Sequence, residues 1–268
     1  MNRMMTAWEV VKANQLTKEL LDGLFKGEIG AVRIPHFLSP QLCSKALEGI
    51  KRYGVDYYEG VYPKIGKIGI TQFEHRFSED AKREYFRKAE KANQARESIF
   101  RDSGDPVGMV IDAVGEAWGS PAGIAREEES NHSYFAGLVR VMNRALLHTD
   151  WAGGLDGRDP DWTIGKIYAQ LTWNIYLQTS SSGGATVVYQ RPWRKSDQTY
   201  YKRKDSYGYD ERVVENADAV RIVPERGEWI AFNPQYYHEV EEADGDTERI
   251  TISSFIGLSP SKKLIFWS

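Results

Sequence analysis

The spacing of hydrophobic residues changes along this chain of 268 residues, from a helical period in the first half to strict alternation in the second. The clearest alternation runs through residues 167–177, where every second side chain from Ile167 to Leu177 is apolar. Successive side chains of a β-strand point to opposite faces of a sheet. We therefore expect one face of this strand to be packed and the other to line a wet cavity.

The second half of the chain contains further short strand patterns separated by turn residues such as Gly183-Gly184 and Pro224. No helical pattern alternates with these strands, which favours an antiparallel double-sheet core over a parallel sheet. Helical patterns instead occupy the first half, at 8–25, 80–101 and 107–118. We predict an α+β fold: a double-stranded β-helix (jelly-roll or cupin-like) core with N-terminal helices packed on one sheet. The predicted single domain spans 1–268, with a helical annex at about 1–130 and the β-core at about 131–268.

Charge and composition exclude several classes of partner. The chain has 35 Lys and Arg against 38 Asp and Glu, so it lacks the basic field that a nucleic-acid-binding surface needs. Its apolar runs are far shorter than the roughly 20 residues of a membrane helix. A single cysteine, Cys43, excludes an internal disulfide framework, and no secretory signal is visible. We expect a cytoplasmic protein with a small-molecule partner.

Two histidines and an aspartate form a candidate metal site. His148 and Asp150 lie two residues apart, so in an extended chain both side chains face the same way. With His238, which follows the Asn233-Pro234 turn, they supply two imidazoles and one carboxylate. That set leaves three adjacent positions open on an octahedral ion, as in non-haem Fe(II) oxygenases. Each residue alone is also compatible with a structural or surface role.

A basic residue follows the second histidine on a predicted strand. Arg249, Thr251 and Ser253 share one face of the segment 249–255. An arginine that faces inward on a core strand needs an anion, and its two parallel donors suit a carboxylate. The alternative is an arginine at a strand end that points to solvent.

These residues together resemble the Fe(II)/2-oxoglutarate-dependent oxygenases, whose pattern is His-x-Asp, a distant His and then Arg-x-Ser/Thr. The segments 32–40 and 227–233 are also similar to the entry strand and to the strand before the second histidine in that family. The resemblance implies that Fe(II) is held by His148, Asp150 and His238. It further implies that Arg249 and Thr251 bind the distal carboxylate of 2-oxoglutarate, with O2 as the oxidant.

Within that superfamily, one branch resembles the chain in four further segments. The branch contains the radical amino-acid and alkaloid halogenases and their hydroxylating relatives, and the segments are 62–75, 134–140, 183–189 and 255–259. The branch's halogenases replace the metal-binding carboxylate by Gly or Ala, which leaves room for a halide. This chain keeps Asp150, so the resemblance implies hydroxylation of an unactivated C–H bond with release of succinate and CO2.

The same branch implies a small amino-acid-like substrate, free or modified. We predict Arg76, Arg140 and His132 as its binding residues, although Arg140 has the structural alternative of pairing with an acid in 127–129. The basic and aromatic stretch 191–204 is interpreted as an insertion that covers the active site or meets another subunit, as in a homodimer. The nucleic-acid demethylase branch carries a second arginine where this chain has Phe255, which argues against a nucleobase substrate.

Three functions therefore remain open from the sequence. The first is a hydroxylase of an amino acid or a close derivative. The second uses the same cofactors for desaturation, aziridine formation or halogenation. The third is a non-catalytic β-core binding protein whose metal site is vestigial.

Overall fold

The helices begin at the capping residues that the sequence provides. The computed structural model describes residues 8–152, 162–244 and 247–268. Its helices are α1 (Lys18–Lys26), α2 (Pro40–Tyr53), α3 (Glu79–Ile99), α4 (Pro106–Trp118) and α5 (Asp197–Tyr200). The side chains of Thr17, Ser39 and Ser78 each accept a hydrogen bond from a backbone N–H in the first turn of the helix that follows. No helix in the described ranges is both long and apolar enough to cross a membrane.

The strands are short in the first half of the chain and longer in the second. They are β1 (Val10–Lys12), β2 (Ala31–Ile34), β3 (Asp56–Tyr57), β4 (Gly66–Ile68), β5 (Gly123–Ile124), β6 (Leu138–Val141), β7 (Ala145–His148), β8 (Ala169–Gln178), β9 (Ser182–Gly183), β10 (Thr186–Pro192), β11 (Ala219–Ile222), β12 (Trp229–Phe232), β13 (Tyr236–Val240), β14 (Ala243–Asp244), β15 (Ile250–Leu258) and β16 (Leu264–Trp267). Short 3-10 helices lie at Gln72–His75, Thr163–Lys166 and Glu211–Val214.

Two sheets form the β-core. The larger has the order β1-β2-β12-β8-β15-β6-β4-β3, with β16 paired to β15 and β5 to β16; the smaller has the order β11-β10-β13-β7. Buried residues of both sheets pack together, among them Tyr176 and Phe232 from the larger and Val188 and Ile222 from the smaller. The Tyr176 hydroxyl and Thr186 Oγ1 are also hydrogen-bonded across the two sheets, at 3.2 Å. The inner faces of the two sheets therefore enclose the space in which a site can form.

The outer face of the larger sheet is covered by helices. Leu171, Trp173, Ile175 and Leu177 on β8 belong to one buried cluster with residues of α1, α2 and α4. The alternation of the sequence is thus confirmed, since the polar partners Thr172 and Asn174 face the opposite side. The predicted α+β jelly-roll fold, with N-terminal helices on one sheet, is confirmed as well.

The helix predicted over 8–25 is wrong in its first half. Residues Val10–Lys12 form strand β1, which pairs in parallel with β2, and the helix begins only after Thr17. Val10 and Val11 are β-branched, and such residues favour a strand over a helix.

The packing of helices on β8 makes a prediction about stability. Trp173 is fully buried in the cluster beneath α2, so Trp173→Ala should lower the free energy of unfolding by about 3–5 kcal/mol. Urea denaturation followed by circular dichroism measures this change. Tyr168→Ala is the control, because that ring is 69% exposed just before the same strand. Equal losses in the two variants would contradict the assigned packing.

Candidate active site

The two histidines of the predicted metal site lie side by side on the smaller sheet. His148 is the last residue of β7, and His238 lies opposite it on the neighbouring antiparallel strand β13. Their ring centroids are 4.2 Å apart. The chain then turns away from the sheet, and Asp150 is held there by a 2.8 Å hydrogen bond from its backbone N–H to the carbonyl of Pro234. His148, Asp150 and His238 form the triad. They come together although Asp150 and His238 are 88 positions apart in the sequence.

The ligand atoms of the triad have a spacing that suits one ion. Asp150 Oδ2 lies 3.8 Å from His148 Nε2 and 3.7 Å from His238 Nε2. One candidate ligand atom from each residue lies within 4.8 Å of the other two. Imidazole nitrogen and carboxylate oxygen are a donor set that binds ferrous iron and related divalent metals.

Backbone carbonyls fix which imidazole nitrogen faces the cavity. His148 Nδ1 lies 2.6 Å from the carbonyl oxygen of Leu146, and His238 Nδ1 lies 2.9 Å from that of Tyr236. A carbonyl only accepts hydrogen bonds, so both Nδ1 atoms carry the proton and donate. In the neutral imidazole this leaves the lone pair on Nε2, on the side of Asp150, which is the tautomer that metal ligation through Nε2 requires.

Burial and mutual contact set the charges of the triad. Burial, together with the neighbouring His238, lowers the pKa of His148 to about 4. Burial alone would raise the pKa of Asp150, but the two imidazoles lower it by more, so its pKa lies well below the usual range. At neutral pH the site therefore presents an uncharged His148 and an ionised Asp150, and both forms are able to ligate a metal.

Arg249 is a buried cation without a counter-charge in the described ranges. It lies just before β15, and it is only 1% exposed. Nη2 donates a 3.2 Å hydrogen bond to the Tyr176 hydroxyl, while Nε and Nη1 have no hydrogen-bond partner. The Thr251 hydroxyl, on the same strand face, is also buried and without a partner. Burying polar groups without hydrogen-bond partners lowers the stability of the folded protein, unless a ligand supplies an acceptor. The arrangement therefore fits the carboxylate of a bound co-substrate.

A narrow space connects Arg249 with the triad. This inner cavity has a volume of about 60 Å³ and is lined by His148, Asp150, His238 and Arg249, with Asn174 and Phe232 among its walls. Thr251, on β15, is not among the residues that line this cavity. The triad and Arg249, both predicted from the sequence, therefore line one cavity.

A larger cavity opens on the other side of the triad. This outer cavity has a volume of about 920 Å³, and His148 and Asp150 form part of its wall. Arg76 and Arg140, both predicted as substrate-binding residues, line it. Arg140 also borders the inner cavity, and its buried Nε has no hydrogen-bond partner in the part of the chain that the structure describes. The outer cavity is large enough for a substrate of the size of an amino-acid derivative.

His132, the third predicted substrate residue, is not brought to either cavity. It is exposed, and its ring stacks on Phe86 with a centroid distance of 5.6 Å. The alternative partners of Arg140 are also engaged elsewhere: Glu127 pairs with Lys82, and Glu128 pairs with Lys166. Arg140 is therefore oriented toward the site and not toward the acidic run.

The insertion after β10 covers the outer cavity, which was one of its two predicted roles. Gln198, Lys202, Tyr207 and Tyr209 all line this cavity. The Tyr207 hydroxyl accepts a 2.8 Å hydrogen bond from the backbone N–H of Leu146, and its ring packs edge-on against His148. The sequence is basic and aromatic here, but none of these four residues was predicted as a site residue. Their spacing follows no strand or helix period that would single them out.

Comparison with known proteins places the chain in one family. The family model described as the carrier-protein-independent halogenase WelO5 matches residues 9–268. The chain is 39% identical over 225 residues to the leucinostatins biosynthesis cluster protein S of Purpureocillium lilacinum, which covers 80% of this chain and 90% of that protein. It is 28% identical over 272 residues to the L-gamma-glutamyl-L-propargylglycine hydroxylase of Streptantibioticus cattleyicolor, covering 96% of this chain and 95% of that enzyme.

A solved structure shares the fold. The N-substituted L-amino acid dioxygenase of Burkholderia ambifaria AMMD superposes with a TM-score of 0.64 at 15% identity. The superposition covers 94% of this chain and 92% of the other. It supports the jelly-roll architecture described above.

Proposed function

The chain belongs to the family of the carrier-protein-independent halogenase WelO5, and from this premise we propose that it hydroxylates an amino acid or a close derivative. It is an Fe(II)- and 2-oxoglutarate-dependent dioxygenase that uses O2 as the oxidant. We further propose that the protein acts in the cytoplasm and forms a homodimer. What distinguishes hydroxylation from chlorination within the family is the third metal position.

Asp150 is the observation that carries the proposal. Its carboxylate lies within 4 Å of the Nε2 atoms of both His148 and His238, where the halogenases that the chain resembles have Gly or Ala. A carboxylate at this position occupies the place that a halide would take. The ionised state of Asp150 suits a metal ligand, and its negative charge disfavours a second anion beside it.

The side chains divide the remaining work between the two cavities. When bound, iron and 2-oxoglutarate would activate O2, so that one oxygen atom converts a substrate C–H bond to C–OH and the other is taken up as 2-oxoglutarate becomes succinate and CO2. His148, Asp150 and His238 would hold the metal, and Arg249 with Thr251 would orient the co-substrate through its distal carboxylate. Phe232 and Phe255 contribute apolar walls that limit water at the inner cavity. Arg76 and Arg140 would orient the substrate in the outer cavity.

The names of two similar proteins support an amino-acid substrate. One relative is named as a hydroxylase of a γ-glutamyl amino acid, and the protein that shares the fold is named as a dioxygenase of N-substituted amino acids. Both names describe derivatives in which the α-amine is substituted. We include free and N-acylated amino acids in the proposed substrate range.

Product mass spectrometry tests the proposal. The protein would be incubated with Fe(II), 2-oxoglutarate, O2 and a panel of amino acids and N-acyl amino acids, with and without chloride. We expect succinate release coupled to a product that gains one oxygen atom. A product that loses two hydrogens, or one that gains chlorine, would overturn the hydroxylase assignment in favour of a different outcome on the same cofactors.

Chlorination is the second candidate, because the matching family is described as a halogenase family. The arm of the experiment that contains chloride separates the two reactions directly. A protein that binds substrate but releases no succinate under any of these conditions would instead be a non-catalytic binding protein.

The metal site makes a prediction that does not depend on turnover. His148→Ala removes one of three ligands and should weaken binding of Co(II), a spectroscopic substitute for Fe(II), by about a hundredfold or more. Titration followed by the visible absorption of Co(II) measures this. His132→Ala is the matched control, since that imidazole is exposed and lies outside both cavities. Unchanged Co(II) affinity in His148→Ala, or unchanged succinate release, would contradict the assigned ligand set.

A further inference from the structure

Strand β7, which carries His148, contains a β-bulge directly before this residue. Between the first and last residues of β7, the pairing with β13 leaves two residues, Leu146 and Leu147, opposite one, Glu239. A bulge interrupts the regular ladder of hydrogen bonds, and bulges beside active sites re-aim side chains. The carbonyl of Leu146, within this bulge, is the one that accepts from His148 Nδ1. The shape of the bulge therefore bears directly on the orientation of a proposed metal ligand.

The insertion after β10 supplies hydrogen-bond partners for the bulge. The Tyr207 hydroxyl accepts a hydrogen bond of 2.8 Å from the Leu146 N–H. The Tyr209 N–H donates one of the same length to the carbonyl of Leu147. β7 is the edge strand of the smaller sheet, with β13 as its one neighbour in the described part of that sheet. Since unpaired backbone groups destabilise a folded protein where water cannot reach them, the insertion stabilises the bulge in this shape.

The insertion and β7 approach each other closely at Gly208. A Cβ added to Gly208 would lie 2.9 Å from Leu146 Cβ, which is nearer than packed side chains allow. The rest of the insertion holds residues 207–209 in turn. The Arg203 N–H donates a 3.1 Å hydrogen bond to the carbonyl of Gly208, and Lys202 Nζ donates one to the carbonyl of Tyr207. Residues 207–209 are therefore fixed against the strand that carries His148.

Tyr207 contacts the metal ligand itself as well as its strand. Its ring packs edge-on against the imidazole of His148, with the ring centroids 5.6 Å apart and an angle of 83° between the planes. The imidazole is thus held at two points, at Nδ1 by the Leu146 carbonyl and on one side by the Tyr207 ring. A ligand that is oriented before the ion arrives loses less conformational freedom when the ion binds.

We propose that Tyr207 is a positioning residue, which holds His148 through its hydroxyl and its ring in the orientation that ligates the metal. The inference rests on the proposed function, since it concerns the metal site of the same reaction. Tyr207 also lines the outer cavity. The orientation of one metal ligand is therefore coupled to the segment that covers the space for the substrate.

Co(II) binding to Tyr207→Phe, without 2-oxoglutarate or O2, tests the inference. This variant keeps the ring and removes the acceptor of the Leu146 N–H. We expect the affinity for Co(II) to fall by about tenfold, because losing an outer contact of a ligating residue typically costs about 10–100-fold in metal affinity. The visible absorption of bound Co(II) should also change in position or intensity. Tyr200→Phe is the matched control: that ring belongs to the same insertion and is 74% exposed, so neither quantity should change.

A second variant disturbs the same contact without altering Tyr207. Gly208→Ala adds a methyl group where Leu146 leaves no room, so it should displace the insertion from β7 and weaken Co(II) binding in the same direction. The melting temperature of the metal-free protein separates positioning from a general loss of stability. Unchanged Co(II) affinity and absorption in Tyr207→Phe, whatever its melting temperature, would leave Tyr207 a structural role alone and overturn the inference.

The outcomes distinguish this inference from the proposed function. If Tyr207→Phe binds Co(II) weakly but the unaltered protein releases no succinate with any substrate, the positioning role stands and the proposed hydroxylation fails. If the unaltered protein forms a hydroxylated product while Tyr207→Phe binds Co(II) with the natural affinity and spectrum, the proposed function stands and the positioning role fails.

Discussion

Replacing Arg249 by glutamine should raise the KM for 2-oxoglutarate by about a thousandfold. The guanidinium is buried, and among the described residues its one hydrogen-bond partner is the Tyr176 hydroxyl, so a bound carboxylate would be its main source of charge compensation. Losing one partner of a buried charged pair costs about 2–5 kcal/mol, and a thousandfold change corresponds to about 4 kcal/mol. Initial rates of succinate release at varied 2-oxoglutarate concentration measure the effect.

The role of Arg249 in binding 2-oxoglutarate can also be tested without catalysis. 2-Oxoglutarate should raise the melting temperature of the natural protein but not that of Arg249→Gln. Arg221→Gln is the control, because Arg221 forms an exposed ion pair with Glu241 on the smaller sheet. Affinity of Arg249→Gln for Co(II) should be unchanged. A normal KM in Arg249→Gln would show that the co-substrate carboxylate is held elsewhere.

Exchanging Asp150 for glycine should change the kind of product. The substitution removes the carboxylate beside the two imidazoles while both Nδ1 contacts to backbone carbonyls remain. Chloride then has room at the third metal position and is no longer repelled by a fixed negative charge. We expect hydroxylation to fall to a small fraction of the natural rate and a chlorinated product to form when chloride is supplied.

The control for Asp150→Gly is a variant that keeps the side-chain volume at position 150. Asp150→Asn loses the charge but still fills the position, so we expect low activity and no chlorinated product. Mass spectrometry of the products, with bromide as a second halide, measures both variants. Hydroxylation by Asp150→Gly at the natural rate, or chlorination by the unaltered protein, would contradict the role assigned to Asp150.

The sequence predicted those parts of the molecule that a strict pattern encodes. Alternation in 167–177 predicted the two faces of β8, and the spacing of His148 and Asp150 predicted that both side chains face one point. Arg249 was selected because a guanidinium on a core strand needs an anion, and its burial without a counter-charge in the described ranges agrees with that reasoning. The strand itself dictates the geometry only in β8, because Asp150 lies beyond the end of β7 and Arg249 lies just before the start of β15.

The remainder depends on tertiary contacts that no local pattern reports. Lys202 reaches the outer cavity only because its insertion folds back over β7, and nothing in its immediate sequence indicates that. His132 was selected for its chemistry, yet the fold places it on Phe86 outside both cavities. The start of the chain was misread because pairing with β2 overrides the helical spacing of the apolar residues there. The roles proposed for Arg76 and Arg140 stay predictions.

The carbonyls that accept from the two imidazoles belong to the peptide backbone, two residues earlier in the same strands. Exchanging a neighbouring side chain therefore leaves these acceptors in position, so the histidines keep their tautomer whatever residue follows at position 150. A single codon can then vary while the rest of the metal cradle is conserved in form. The identity of the third metal ligand is therefore structurally independent of the orientation of the other two.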